Sequence, residues 1–288
     1  ITKKDLKIGQ FAVGNFFLPN KKLYHLDAEK LVEKTFSENG LKVLKKRLIE
    51  VNNKVLSRKK IEAQLPIRQW IIEKKINDDS SNFEKIIYNC LIEIERKAFK
   101  LKKFRGLYPL SLSSKMQVFK GRLNSNEIIP YFVDLSDKDQ CVKILYFHTR
   151  FSTNTEPQPS MAQPFRYIAH NGELNTDKKN RISENAIALS KKRSIVGPYG
   201  QSDSCRLDQT LQNRLCEDDV DIITAVVSMM PPAWEKDKKI SQKSRDMFEY
   251  FSLYEEKNDG PAALIFCDGN IVGARLDRLG LRPLRSTE

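Results

Sequence analysis

The chain has 288 residues, 40% of them hydrophobic and 30% charged, with a formal net charge of +13. That is enough for one large domain or two smaller ones with a real core, in the balance ordinary for a soluble globular protein. No apolar run approaches the length needed to span a bilayer, the first residues hold no signal-peptide core, and the lysines are scattered instead of gathered on one face; membrane insertion, secretion and specific nucleic-acid binding are therefore not expected, and cytoplasm is the expected compartment.

In chain order, residues 10–19 predict a strand stopped by Pro19. Over residues 28–39, Leu31, Val32 and Phe36 share one helical face, and Gly40 is the stop. Residues 41–51 and 65–76 carry strand-like runs between charged loops, and residues 83–101 alternate apolar and charged side chains at helical period. From Tyr108 the pattern is strand-rich, with a strand over residues 111–121 closed by Gly121. A central strand is expected over residues 141–149, where Val142, Ile144, Leu145, Tyr146 and Phe147 make a nearly continuous apolar run.

A polar loop with Pro157 and Pro159 leads to a strand at residues 166–170, a helix near 183–191 and a Gly/Pro/Ser turn at 197–204. Helices are expected over residues 207–215, 219–227 and 243–254. Two strands follow, Ala262–Cys267 and residues 270–276, joined at Asp268-Gly269. With no internal repeat or low-complexity linker, the pattern predicts one compact α+β unit with sheets packed between helices.

Five cysteines, Cys90, Cys141, Cys205, Cys216 and Cys267, are widely spaced with no CxxC pair. Zinc or iron–sulfur ligation is not expected of them, and free buried thiols are.

The most informative stretch runs from Pro164 to Asn175. Its apolar run breaks at Asn171-Gly172, a turn signal. Such a pair makes an ordinary hairpin turn, or it brings an amide NH2 and a backbone N–H onto one point where an oxyanion can be held.

Four segments in fixed order resemble those of the class II glutamine amidotransferases: His148–Asn154, Phe165–Asn175, Gln201-Ser202-Asp203-Ser204 and Leu276–Leu284. Within that superfamily, Phe11–Pro19, Pro66-Ile67-Arg68-Gln69, Ser111–Ser114, Ala162–Tyr167, Pro232-Ala233-Trp234-Glu235 and Asp259-Gly260-Pro261-Ala262 are similar to the large subunit of the glutamate synthase family. The likeness covers nearly the whole chain, residues 1–288.

The resemblance implies a four-layer α/β/β/α sandwich of the N-terminal-nucleophile hydrolase type, here incomplete. It implies glutamine as ligand: Arg150 on its α-carboxylate, with Thr153 adding a hydroxyl, and Asp203 on its α-ammonium. Asn171 and the Gly172 N–H would stabilise the tetrahedral oxyanion. Asp203 is also suited to cap the helix that follows it. His170 reads as a packed structural histidine and Cys205 as a small core residue.

The family's nucleophile is an N-terminal cysteine with its own α-amine as base, whereas position 1 is Ile1. The chain is therefore expected to lack the nucleophile segment and the closing end of the domain. It would be either a fragment of a longer gene or a decayed domain, inactive by itself. No metal or cofactor is expected in it; FMN and an iron–sulfur cluster are implied for the synthase region beyond, with a small reductase subunit or ferredoxin as electron partner. The alternative is a catalytically dead glutamine-binding or regulatory module.

Overall fold

The computed structural model describes residues 9–75, 83–149, 159–174, 178–190, 202–253, 255 and 257–287. They fall into two compact units, one ending at Arg166 and the other starting at Tyr167. The architecture is α+β with two antiparallel sheets.

In the first unit, β1 (Phe11–Phe17), β2 (Leu41–Leu48), β3 (Ile67–Lys74) and β4 (Tyr108–Ser113) pair antiparallel in the order β2-β3-β1-β4. Helix α1 (His25–Glu38) lies between β1 and β2 in sequence, a short α2 (Arg58–Glu62) between β2 and β3, and α3 (Phe83–Lys100) between β3 and β4. A β-α-β-β-α-β order with this pairing is the split βαβ arrangement.

Its main core follows from periodicity. Ala28, Val32 and Phe36 of α1 and Ile87, Leu91, Ile94 and Ala98 of α3 repeat at three- and four-residue spacing, so each helix has one apolar stripe. Both stripes pack with Ala12, Phe16, Trp70 and Ile72 of the sheet. Phe16, Phe36 and Trp70 meet edge-on with centroids 5.1–6.4 Å apart. Each such buried side chain contributes about 1.5–3 kcal/mol. Helix α1 stops at Gly40, whose φ of +72° a residue with a Cβ adopts only with strain. Two short helices, α4 (Ile128–Tyr131) and α5 (Val133–Ser136), follow β4, and Tyr131 and Phe132 join Phe17, Ile67 and Leu110 in a second core.

Two strand expectations are corrected here. The strand expected over residues 111–121 runs instead from Tyr108 to Ser113. Beyond it, Ser113 Oγ accepts from the Lys115 N–H and Ser111 Oγ from the Val118 N–H, each at 3.1 Å. Serine oxygens thus take N–H groups that a continuing ladder would have used. Residues 141–149 form no strand, and Val142, Leu145 and Phe147 are 67–70% exposed. An apolar run signals a preference for burial but carries no partner with it, and among the described strands none pairs with this one.

The second unit contains β5 (Ile168–Gly172), α6 (Lys178–Ser190), α7 (Asp203–Cys216), α8 (Ile222–Met229), α9 (Gln242–Ser252), β6 (Ala262–Cys267) and β7 (Val272–Leu276). The sheet order is β5-β6-β7, antiparallel throughout. Ile168 and Leu264 of the sheet face Leu207 and Leu211 of α7 and Val226 and Met229 of α8 around one small apolar gap. Asp221 caps α8 by accepting from the Thr224 N–H at 3.0 Å, and Ser241 caps α9 through the Ser244 N–H at 3.1 Å. The β6–β7 turn is held by Asp268, whose carboxylate accepts from the N–H groups of Asn270 and Ile271 at 2.8 Å each. No described helix is long and apolar enough to cross a membrane.

Candidate functional site

Asn171 and Gly172 are still paired strand, opposite Ala263 and Ala262, so the turn expected there does not form. What the sequence registers as a break is the demand of a neighbouring chain. A Cβ on Gly172 would lie 1.9 Å from the Pro261 carbonyl oxygen, and its φ is +143°. Glycine is required because β6 starts against it. The Glu173 N–H then donates to the same Pro261 carbonyl at 3.0 Å.

Hydrogen bonds along an antiparallel strand alternate in direction. The Glu173 N–H turns toward β6, while the Ile168 N–H turns the other way, to the Asp208 carboxylate at 3.0 Å. Even-numbered residues of β5 therefore direct their N–H groups away from β6, to an edge left open by the described strands, and Gly172 is one of them. Asn171 is exposed, and among the described residues its side chain has no hydrogen-bond partner.

Helix α7 packs on the sheet face that carries Ile168 and Leu264, and its Asp208 reaches round to the outer N–H groups of the strand. Asp208 Oδ1 accepts from the N–H groups of Tyr167 and Ile168 at 2.8 and 3.0 Å. One helical turn nearer the N-terminus, Ser204 Oγ meets His170 Nε2 at 2.5 Å. The helix N-terminus thus points toward the Gly172 end of β5. The cap is Ser202, whose Oγ accepts from the Cys205 N–H at 3.2 Å; Asp203, expected as a possible cap, is the first helical residue instead. Asp203 and Asn171 are the sequence neighbours of the bonded pair Ser204 and His170. His170 is buried, in keeping with a packed role, and Cys205 is buried as expected of a small core residue.

The late signature Leu276–Arg282 closes on the same place. Asp277 is buried, and its carboxylate accepts from the N–H groups of Ala262, Leu279, Leu281 and Arg282 at 3.1–3.2 Å. Burial opposes its charge, but these backbone donors prevail and hold the carboxyl below its ordinary range. By fixing Ala262, Asp277 also fixes Pro261, the neighbour of Gly172. Lys257 donates to Glu235 at 2.6 Å and Arg278, next to Asp277 in sequence, donates to it at 2.8 Å, which together draw the Glu235 carboxyl down to about 2.

Arg150 and Thr153 lie outside the described residues, as does Asn175. Of the residues singled out from sequence, Asn171 and Gly172 end β5 and Asp203 begins α7, the helix whose Ser204 meets His170. Sequence reasoning missed Asp208. Its one available signal was that residues 207–213 hold a single charged side chain in a chain 30% charged, which marks a buried helix. It also missed Arg166, which forms a buried ion pair with Glu95 in the first unit and donates to the Pro109 carbonyl at 3.1 Å. Among the described residues no three His, Cys, Asp or Glu side chains gather as a metal site.

Comparison with known proteins adds a family. A family model described as glutamine amidotransferases class-II matches residues 2–287. The chain is 33% identical, over 98% of its length, to the chloroplastic ferredoxin-dependent glutamate synthase of Spinacia oleracea, of which it covers 18%. It is 34% identical over 95% of its length to the corresponding protein of Oryza sativa subsp. japonica, again covering 18%. Against the glutamate synthase [NADH] of Schizosaccharomyces pombe it is 31% identical over 97% of its length and covers 14%. The chain thus spans less than a fifth of each of these relatives.

Proposed function

The chain belongs to the class-II glutamine amidotransferases, and on that premise we propose that it is the glutamine-handling portion of a glutamate synthase. The observation that carries this reading is the Gly172 N–H turned to the open edge of β5, on the side where α7 begins with Asp203.

In this reading the guanidinium of Arg150 takes the α-carboxylate of L-glutamine as a planar fork, Thr153 adds a hydroxyl, and Asp203 takes the α-ammonium. A thiolate adds to the side-chain amide carbon, and the carbonyl oxygen becomes an oxyanion held by the Asn171 amide and the Gly172 N–H. The C–N bond then breaks, ammonia leaves with the proton the thiol gave up, and water releases glutamate from the thioester. Loss of one oxyanion donor costs about 10²–10³ in turnover.

The family's thiol stands at an N-terminus, where an α-amine with a pKa near 8 is suited to accept its proton. Cys90, Cys205 and Cys267 are buried, and burial pushes the Cys90 thiol up, away from reactivity; against expectation Cys141 is exposed and Cys216 half-buried, but neither has an α-amine beside it. The 288-residue chain by itself accordingly binds glutamine without hydrolysing it.

The whole chain belongs, in this reading, to one amidotransferase domain, with β5–β7 and α6–α9 contributing to a four-layer sandwich. FMN, an iron–sulfur cluster and the conversion of 2-oxoglutarate to glutamate fall to sequence outside it, with ferredoxin or a small reductase subunit delivering electrons there.

Titration calorimetry with L-glutamine, paired with an ammonia assay, tests the reading. Saturable binding with no ammonia above a protein-free blank is expected; ammonia release by this chain, or no binding, counts against it.

A further inference from the structure

We infer that Asp208 and Ser204 are positioning residues: a two-point clamp that holds α7 alongside β5 and so fixes the spacing between Asp203 and the Asn171–Gly172 pair. The inference rests on the glutamine-site reading above.

The two ties are spaced alike on both elements. Ser204 and Asp208 are four residues apart, about 6 Å along a helix axis. Their partners His170 and Ile168 are two residues apart, about 6.7 Å along a strand. Matching spacings let helix and strand run side by side, with both contacts made at once: Asp208 to the Tyr167 and Ile168 N–H groups at 2.8 and 3.0 Å, and Ser204 to His170 at 2.5 Å.

Neither tie is made by a group that would touch the ligand. Each stands next to one that would. Ser204 follows Asp203 in α7, and His170 precedes Asn171 in β5. A ligand gripped at its α-ammonium by one element and at its reacting carbonyl by the other is measured by the gap between them. Among the described residues β5 has no ladder partner on the side away from β6, so the helix ties set that gap. The buried carboxylate of Asp208 suits the task because an ionised acceptor bonds backbone N–H groups more strongly than a neutral one.

The test uses the 288-residue chain with two readouts, amide hydrogen exchange along β5 and L-glutamine affinity by calorimetry. Asp208→Ala is expected to speed exchange at Ile168 and at Asn171, whose N–H faces β6, at least tenfold and to weaken glutamine at least tenfold, with amides of β1 and β3 within twofold of wild type. Asp208→Asn keeps an acceptor oxygen and is expected to stay within about threefold on both readouts. Ser204→Ala, the milder change, should weaken glutamine about threefold or more, and it decides the matter if Asp208→Ala does not fold. The inference is overturned if the alanine variants bind glutamine as wild type does, or if Asn171 exchanges no faster in them. Should wild type take up no glutamine, the functional reading fails, while exchange at Asn171 still decides the clamp.

Discussion

Asn15 and Asn171 carry the same side chain on the same kind of element, and their surroundings are opposite. Asn15 is in the sheet interior, fully buried; it accepts from Gln69 Nε2 at 2.9 Å and donates to the Val118 carbonyl at 3.2 Å. Gln69 in turn accepts from Arg47 Nε at 2.8 Å, and Arg47 is paired with Asp134. The chain of bonds closes within the protein. Asn171 is exposed on an edge strand and has no partner among the described residues. A polar group whose bonds all close inward contributes to the fold, whereas one left open beside a second open donor, the Gly172 N–H, is available to a ligand.

The contrast can be broken by mutation, and the closed groups should respond most. Glu95→Ala leaves Arg166 charged and buried without its ion-pair partner, so unfolding by urea should show a loss of about 3–5 kcal/mol. Gly172→Ala forces a Cβ onto the Pro261 carbonyl at a φ that side chains avoid; about 3 kcal/mol is expected, together with loss of glutamine binding. Asn15→Ala removes one acceptor of the Gln69 amide and the donor to the buried Val118 carbonyl, and should cost about 2 kcal/mol.

Glu235 lies between the extremes, paired but 40% exposed. Its folded pKa of about 2 is below the ordinary 4.5, so its contribution is present above pH 4.5 and fades as pH falls toward 2. Solvent screening keeps it under about 1 kcal/mol, and Glu235→Gln should flatten the stability profile over that acid range by no more than this. The open group should respond least: Asn171→Ala should change stability by less than about 0.5 kcal/mol.

The same contrast explains what the sequence made legible. Elements with a private periodicity were readable: α3 from its apolar stripe, and Ala262–Cys267 from a short apolar run ending at a turn. Features decided by a distant segment were not. Residues 141–149 have the composition of a central strand and remain exposed coil, because pairing depends on a partner that composition does not encode. Gly172 reads as a turn because the Pro261 carbonyl that demands it lies 89 residues on. The Asp203 segment was legible as a helix start, but the choice of Ser202 as the cap follows from backbone geometry. Asp208 stood out only as the lone charge of the buried helical stretch 207–213; nothing local says that it serves a strand 40 residues away. Of the candidate site, the ligand-facing residue types could be read from the chain; the residues that hold them could not.

The central claim, that Asp203 and the end of β5 form a glutamine site, is tested most directly by titrating L-glutamine into wild type, Asp203→Ala and Asn171→Ala in one calorimetric series. The account predicts saturable one-to-one binding by wild type, its loss in Asp203→Ala, and affinity within about threefold of wild type in Asn171→Ala, because an oxyanion donor acts on the transition state more than on bound substrate. Undiminished binding by Asp203→Ala, or none by wild type, would contradict it.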